Sequence, residues 1–174
     1  MRTLELPGLV LEPQVAAHAE AMFTVLADPA IYEYENAPPE SLEWLRKRYE
    51  RLETRRSGDE RDQWLNWVIC LPDAGPIGFV QATVTPDGTA AIAYLVSSAH
   101  WGRGIAGRAV RAMMSELVAH HGTTSFTAVL KRDNGRSMRL LERLGFTLAS
   151  VERHVQAGAE PDEVLMQRDS AEAR

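Results

Sequence analysis

The chain has almost no cysteine and no long apolar run. Its one cysteine, Cys70, cannot close an internal disulfide or build a cysteine zinc site by itself. No stretch approaches the roughly 18 apolar residues of a membrane helix, and the first residues lack the apolar core of a secretory signal. The net charge of −5 offers no global attraction for nucleic acid. These absences point to a cytoplasmic protein with no membrane and no nucleic-acid partner. A length of 174 residues suits one domain spanning 1–174. Such a chain buries about 70% of its unfolded surface and needs no metal or disulfide staple. With 45% hydrophobic and 25% charged residues, the composition is that of a globular protein.

What is present is unevenly placed. Residues 1–60 carry a net −5, while residues 101–143 carry +5. The basic segment coincides with the densest glycine cluster, an arrangement that suits either an anionic ligand or a solvated arginine-rich helix face. The acidic first third suits a cationic partner of any kind.

Along the chain, Thr3 to Leu11 reads as a first strand, broken at Pro7-Gly8. Pro13 suits a helix start, and Val15, His18, Ala19, Met22, Phe23 and Leu26 follow helical spacing up to Asp28-Pro29. Ile31 to Asn36 forms a loop or single turn. Ser41 reads as the N-cap of a second helix that runs to Ser57-Gly58. Trp64–Leu71, Ile77–Thr85 and Thr89–Ser97 read as an antiparallel meander joined by proline and glycine turns. Trp64 and Trp67 fall on opposite faces of the first of these, and Cys70 reads as buried core. A glycine-rich loop then opens a helix that ends at His120-His121-Gly122. The paired histidines meet the helix dipole there and need no metal. Ser125–Leu130 is a strand, Asn134–Leu144 a loop and short helix, and Phe146–Val155 and Glu163–Gln167 are two closing strands. The order is β-α-α-β-β-β-α-β-α-β-β, a mixed α+β fold.

The segment Gly102-Arg103-Gly104-Ile105-Ala106-Gly107 follows a strand and opens a helix. The first N–H groups of a helix have no intrahelical partner, and its dipole is positive there, so this is a phosphate-binding device. The string matches G-x-G-x-x-G literally. A dinucleotide fingerprint, however, normally opens a βαβ unit followed by several parallel strands, and here it follows a meander. A glycine-rich packing turn is a third reading.

Tyr94-Leu95-Val96 followed by His100-Trp101-Gly102-Arg103-Gly104-Ile105-Ala106 resembles the acetyl-CoA-binding motif of the GNAT N-acetyltransferases, with Gly104 and Ala106 in its small positions. Trp101 stands where many members have Gln or Arg, and a Trp-Gly pair there is similar to the RimJ/RimL branch. Asn134-x-x-Ser137 with Leu140-Leu141-Glu142-Arg143-Leu144-Gly145-Phe146 resembles that superfamily's next strand–helix unit. The resemblance covers nearly the whole chain. It implies a central, mostly antiparallel sheet of seven strands flanked by about four helices, with a splayed strand pair that binds acetyl-CoA.

The resemblance also implies roles. Leu95 and Val96 offer backbone partners to the pantetheine arm, and one of their N–H groups faces the thioester carbonyl. Trp101, Gly102, Arg103, Gly104, Ile105, Ala106, Gly107 and Arg108 surround the pyrophosphate, the two arginines by charge-assisted contacts. Asn134 orients the cofactor arm or a bound water, and also reads simply as a helix N-cap. Ser137 protonates the leaving thiolate. Glu33 and Glu35 line the acceptor cleft as base or as attraction for a cationic amine, although two solvated loop acids are the favoured reading. Tyr32 and Tyr34 form cleft walls or core. The expected reaction is direct acetyl transfer from acetyl-CoA to a primary amine in a ternary complex, without a metal. The acceptor is a protein N-terminal α-amine, or else a small amine such as an aminoglycoside or polyamine. A non-catalytic acyl-CoA-binding module is the alternative, and a homodimer is left open.

Overall fold

The computed structural model describes residues 1–34 and 37–170. Its order is β1 (Leu4–Leu6), β2 (Leu9–Pro13), α1 (Ala19–Val25), α2 (Leu42–Glu53), β3 (Gln63–Leu71), β4 (Gly75–Val84), β5 (Thr89–Val96), α3 (Ile105–His120), β6 (Ser125–Lys131), α4 (Gly135–Arg143), β7 (Thr147–Leu148), α5 (Val151–Gln156) and β8 (Glu163–Asp169). The strands form one eight-stranded sheet in the order β1-β2-β3-β4-β5-β6-β8-β7. Every neighbouring pair is antiparallel except β5 and β6, which α3 connects as a parallel crossover.

The period-2 alternation of the strands feeds two cores. Leu65, Trp67 and Ile69 of β3 face one way, into the cluster that includes Val110, Met113 and Leu117 of α3. Val68 and Cys70 face the other way, onto Met22 of α1 and Leu45 and Tyr49 of α2. Trp67 is fully buried and Trp64 only partly, as opposite faces require.

Three expectations are corrected. The first strand is two, because Gly8 at φ +73° turns the chain at Pro7-Gly8, so the sheet has eight strands and not seven. Pro13 ends β2 opposite Trp67 and starts no helix; a 3-10 turn, Ala16–His18, leads into α1. Residues 146–155 hold only the two-residue β7 and then α5, capped by the Ser150 side chain, which makes five α-helices among the described residues. Phe146 is buried in the core, but Val151 and Val155 are about three-quarters exposed and do not face it.

One irregularity positions the site. β5 pairs with β4 all the way from Ala90 to Val96. It pairs with β6 only over Thr89–Ala91. Beyond Ala91 the two parallel strands diverge, and the edge of β5 that would face β6 has no ladder partner. The gap lies at the carboxyl ends of both strands, where open sheets characteristically take ligands.

Candidate active site

A cavity of about 540 Å³ fills this gap and continues beneath α2 and the turn after α1. Its β5–β6 half is lined by Tyr94, Leu95, Val96, Ala128, Val129 and Leu130, with Trp101 and Ala106 at the head of α3 and Asn134 and Ser137 from α4. Its other half is lined by Tyr32, Tyr34, Trp44, Arg48, Tyr49 and Phe79.

The glycine loop adopts a shape that a side chain would oppose. Gly102 and Gly104 sit at φ +74° and +71°, and a Cβ built at either, or at Gly107, would meet no atom within 4 Å. Gly104 is the N-cap of α3 and supplies no capping side chain. The N–H groups of the first turn, Ile105 to Gly107, have no hydrogen-bond acceptor among the described residues, and the positive end of the helix dipole lies there. Trp101 closes the end of β5, its indole N–H donating to the Val96 carbonyl at 2.7 Å. That contact answers the departure from Gln or Arg at this position: Trp101 is tied to the strand and walls the cavity.

Arg103 and Arg108 lie elsewhere. They line a second recess of about 350 Å³ with Gly8, Asp73 and His100. The Arg108 guanidinium donates to the Pro7 carbonyl and so tethers the β1–β2 turn to α3.

At the other wall, Asn134 is the N-cap of α4, its side-chain oxygen accepting from the Ser137 N–H at 3.1 Å. The Ser137 hydroxyl takes no part in that cap. The Tyr94 hydroxyl lies 3.4 Å from the Ser137 carbonyl, and burial pushes its pKa up to about 12. Tyr94 thus reaches from β5 to α4 across the gap. It was read from the sequence only as part of a motif, since nothing local in a strand announces such a span.

Glu33 does not line the cavity. Its carboxylate lies 3.7 Å from the Arg136 guanidinium, with both side chains about half exposed. Arg136 in turn stacks over the Trp101 ring at 3.6 Å. Glu33, Arg136 and Trp101 thus form a chain across the mouth. Glu35 lies outside the described residues. Asp28 links the two halves, with one carboxylate oxygen accepting from the Ser98 N–H at 2.8 Å and the other from the Ala30 N–H at 3.1 Å. The bonds from Ser98 hold this carboxyl below the usual range.

Gly78 was also missed. It pairs with Val96, and a Cβ there would stand 2.1 Å from the Leu95 carbonyl oxygen, so only glycine lets β4 and the end of β5 approach as they do. Cys70 is buried, and that burial lifts its pKa to about 11 and leaves a protonated, inert thiol. The end of α3 uses its histidines in hydrogen-bond distance of Arg2 (His120, 2.8 Å) and Gln63 (His121, 3.0 Å).

The acetyltransferase (GNAT) domain family matches residues 8–147. An uncharacterised N-acetyltransferase of Bacillus subtilis, YoaA, is 27% identical, over 86% of this chain and 85% of its own. The structure of RimL, an alpha-N-protein acetyltransferase of a ribosomal protein solved with coenzyme A, superposes with a TM-score of 0.81 at 18% identity, over 97% of this chain and 98% of that one. A spermidine N-acetyltransferase chimera from Vibrio cholerae and hSSAT superposes with a TM-score of 0.75 at 18% identity, over 95% and 98%.

Proposed function

The chain belongs to the GNAT acetyltransferase domain family, and from that premise we propose that residues 1–174 form a single catalytic domain that moves acetyl from acetyl-CoA to a protein N-terminal α-amine. The observation that carries the reading is the unpaired edge of β5 opening onto the uncapped head of α3. An extended amide arm needs a line of backbone partners, and a pyrophosphate needs free N–H groups and a positive dipole. On the open edge the alternation of the β4–β5 ladder leaves the backbone of Tyr94 and the Val96 N–H, since the Leu95 carbonyl faces Gly78 of β4 and the Val96 carbonyl takes the Trp101 indole, and the Gly102–Gly107 loop follows them in sequence. The open Cβ positions at Gly102, Gly104 and Gly107 leave room for a bulky anion against the backbone. Arg103 and Arg108, off in the second recess, contribute field rather than direct contact with the arm.

The acceptor amine enters from the half beneath α2. It attacks the thioester carbon, the N–C bond forms, and the C–S electrons leave on sulfur. The Ser137 hydroxyl protonates that thiolate. Tyr94, protonated throughout the neutral range and adjacent to the Ser137 carbonyl, is the second candidate for this donor. The amine's proton passes to water: Glu33 is engaged by Arg136 outside the cavity, and an α-amine with pKa near 8 is already partly neutral at physiological pH, roughly. A non-catalytic acyl-CoA-binding module would bind the same ligand and turn over nothing. Calorimetry with acetyl-CoA, run beside a thiol-release assay with an N-terminal peptide, tests the proposal. Binding with release supports it; binding without release leaves the module.

A further inference from the structure

The acidic first third of the chain suggests a cleft for cationic amines, but several of its carboxylates are engaged elsewhere. Glu12 meets His18 at 3.1 Å, Glu43 meets Lys47 at 2.7 Å, and Glu53 accepts from the Ala16 N–H at 3.0 Å. Asp28 holds Ser98, and Glu33 holds Arg136. None of these lines the cavity, and among the described residues no carboxylate does. The charged side chains that do line it are Arg48 and Arg136. Arg136 already faces Glu33. Arg48 projects from α2, exposed at the mouth of the acceptor half, over the Trp44 ring at 5.6 Å and with no carboxylate in ion-pair distance among the described residues. Deeper in, the buried Gln14 side chain lines the same cavity, and its amide nitrogen has no hydrogen-bond partner among the described residues.

Among the described residues the acceptor half therefore offers aromatic walls, an amide donor and a guanidinium, and no carboxylate lines it. A polyamine or aminoglycoside keeps further ammonium groups after one amine has been neutralised, and each would face Arg48 with no counter-charge. A peptide N-terminus with an uncharged first residue brings carbonyl oxygens for the donors and a single reacting amine.

We propose that Arg48 selects acceptors by charge, so that the preferred substrate is the α-amine of a peptide whose first residue is uncharged and whose next residues are acidic. This inference rests on the proposed acetyltransferase reading. Rim charges of this kind act mainly through complementarity with the partner, favouring opposite and penalising like charge.

The test uses the full chain saturated with acetyl-CoA, two hexapeptides that share an N-terminal Ala but carry Asp-Glu or Lys-Arg next, and spermidine. Transfer is followed by mass spectrometry and kcat/KM. Peptide binding to the complex with coenzyme A is measured separately by calorimetry. The expected result is at least about tenfold higher kcat/KM for the acidic peptide, with spermidine poorer still. Arg48→Glu reverses the order and Arg48→Gln levels it, with the acetyl-CoA Kd and the melting temperature near those of the parent. A variant that melted early would be set aside in favour of the parent's own ranking of the two peptides and spermidine. Equal rates for the two peptides, a preference that survives Arg48→Glu, or spermidine as the best acceptor would overturn the inference while leaving the acetyltransferase reading intact. Charge-selective binding without transfer would do the reverse.

Discussion

Gly104 is where the residue scale matters most. Its φ of +71° makes a β-branched side chain strained, and its surroundings are open, so the fold itself does not need the site kept empty. Gly104→Val is expected to cost about 1–3 kcal/mol of stability through backbone strain and to remove acetyl-CoA binding; a folded variant with parental affinity in calorimetry would refute the phosphate cradle. For Ser137→Ala the expectation is a kcat lowered about 100-fold, the low end for a positioned general acid, with acetyl-CoA affinity within about threefold of the parent. If kcat instead falls only in Tyr94→Phe, the phenol across the gap is the donor. The glycines, Trp101, Asn134 and Ser137 were legible because their chemistry is local: a strand, a tight loop and a helix start follow one another in the chain. Tyr94, Gly78 and Arg136 were not, because each matters through a contact with a segment far away in sequence.

Among the elements, the sequence marked α2 and α3 well, since Ser41, Leu45, Tyr49 and the apolar face from Ile105 to Leu117 state both cap and period. It misjudged 146–155, where apolar residues turned out to sit on an exposed helix. The splay of β5 from β6 could be expected only by resemblance, because strand pairing is a property of the sheet and not of either strand. The elements around the site are fastened by few polar contacts. Asp28 joins the turn after α1 to the loop before α3. Its folded pKa is depressed, so its contribution is present above the unfolded value of about 3.9 and is lost as pH falls through the folded value. Asp28→Asn is expected to lower stability by under about 1 kcal/mol at pH 7, as suits a solvated group, and by progressively less as pH falls below about 3.9 and through the depressed folded value. Thermal melts of both proteins across that range check it. At the far end, the buried Glu116 of α3 is met by Arg2 at 2.7 Å. Glu116→Ala should cost about 1–3 kcal/mol, since that ion pair is buried on one side only. Chemical denaturation that found no change would show the N-terminal segment to be held by Trp67 and Leu4 instead.

The whole molecule reads as one sheet with two faces of core and one fault line. The cavity is assembled from residues between 14 and 141, so overall charge is a poor guide to it: in an acidic protein the charged side chains that line it, among the described residues, are Arg48 and Arg136. A ligand that binds only the folded state adds RT ln(1 + [L]/Kd), about 2.7 kcal/mol at 100 times Kd. For a chain of this size that raises Tm by about 5–10 °C, a shift that Gly104→Val should lose. Transfer of the acetyl group is the decisive property. The most direct measurement incubates the protein with acetyl-CoA and a peptide beginning with Ala, then locates the product by tandem mass spectrometry while counting released thiol. The prediction is one acetyl group on the α-nitrogen and one thiol for each acetyl, both absent with Gly104→Val. Binding of acetyl-CoA without acetylation of that amine, at thiol release no faster than buffer hydrolysis, would contradict it.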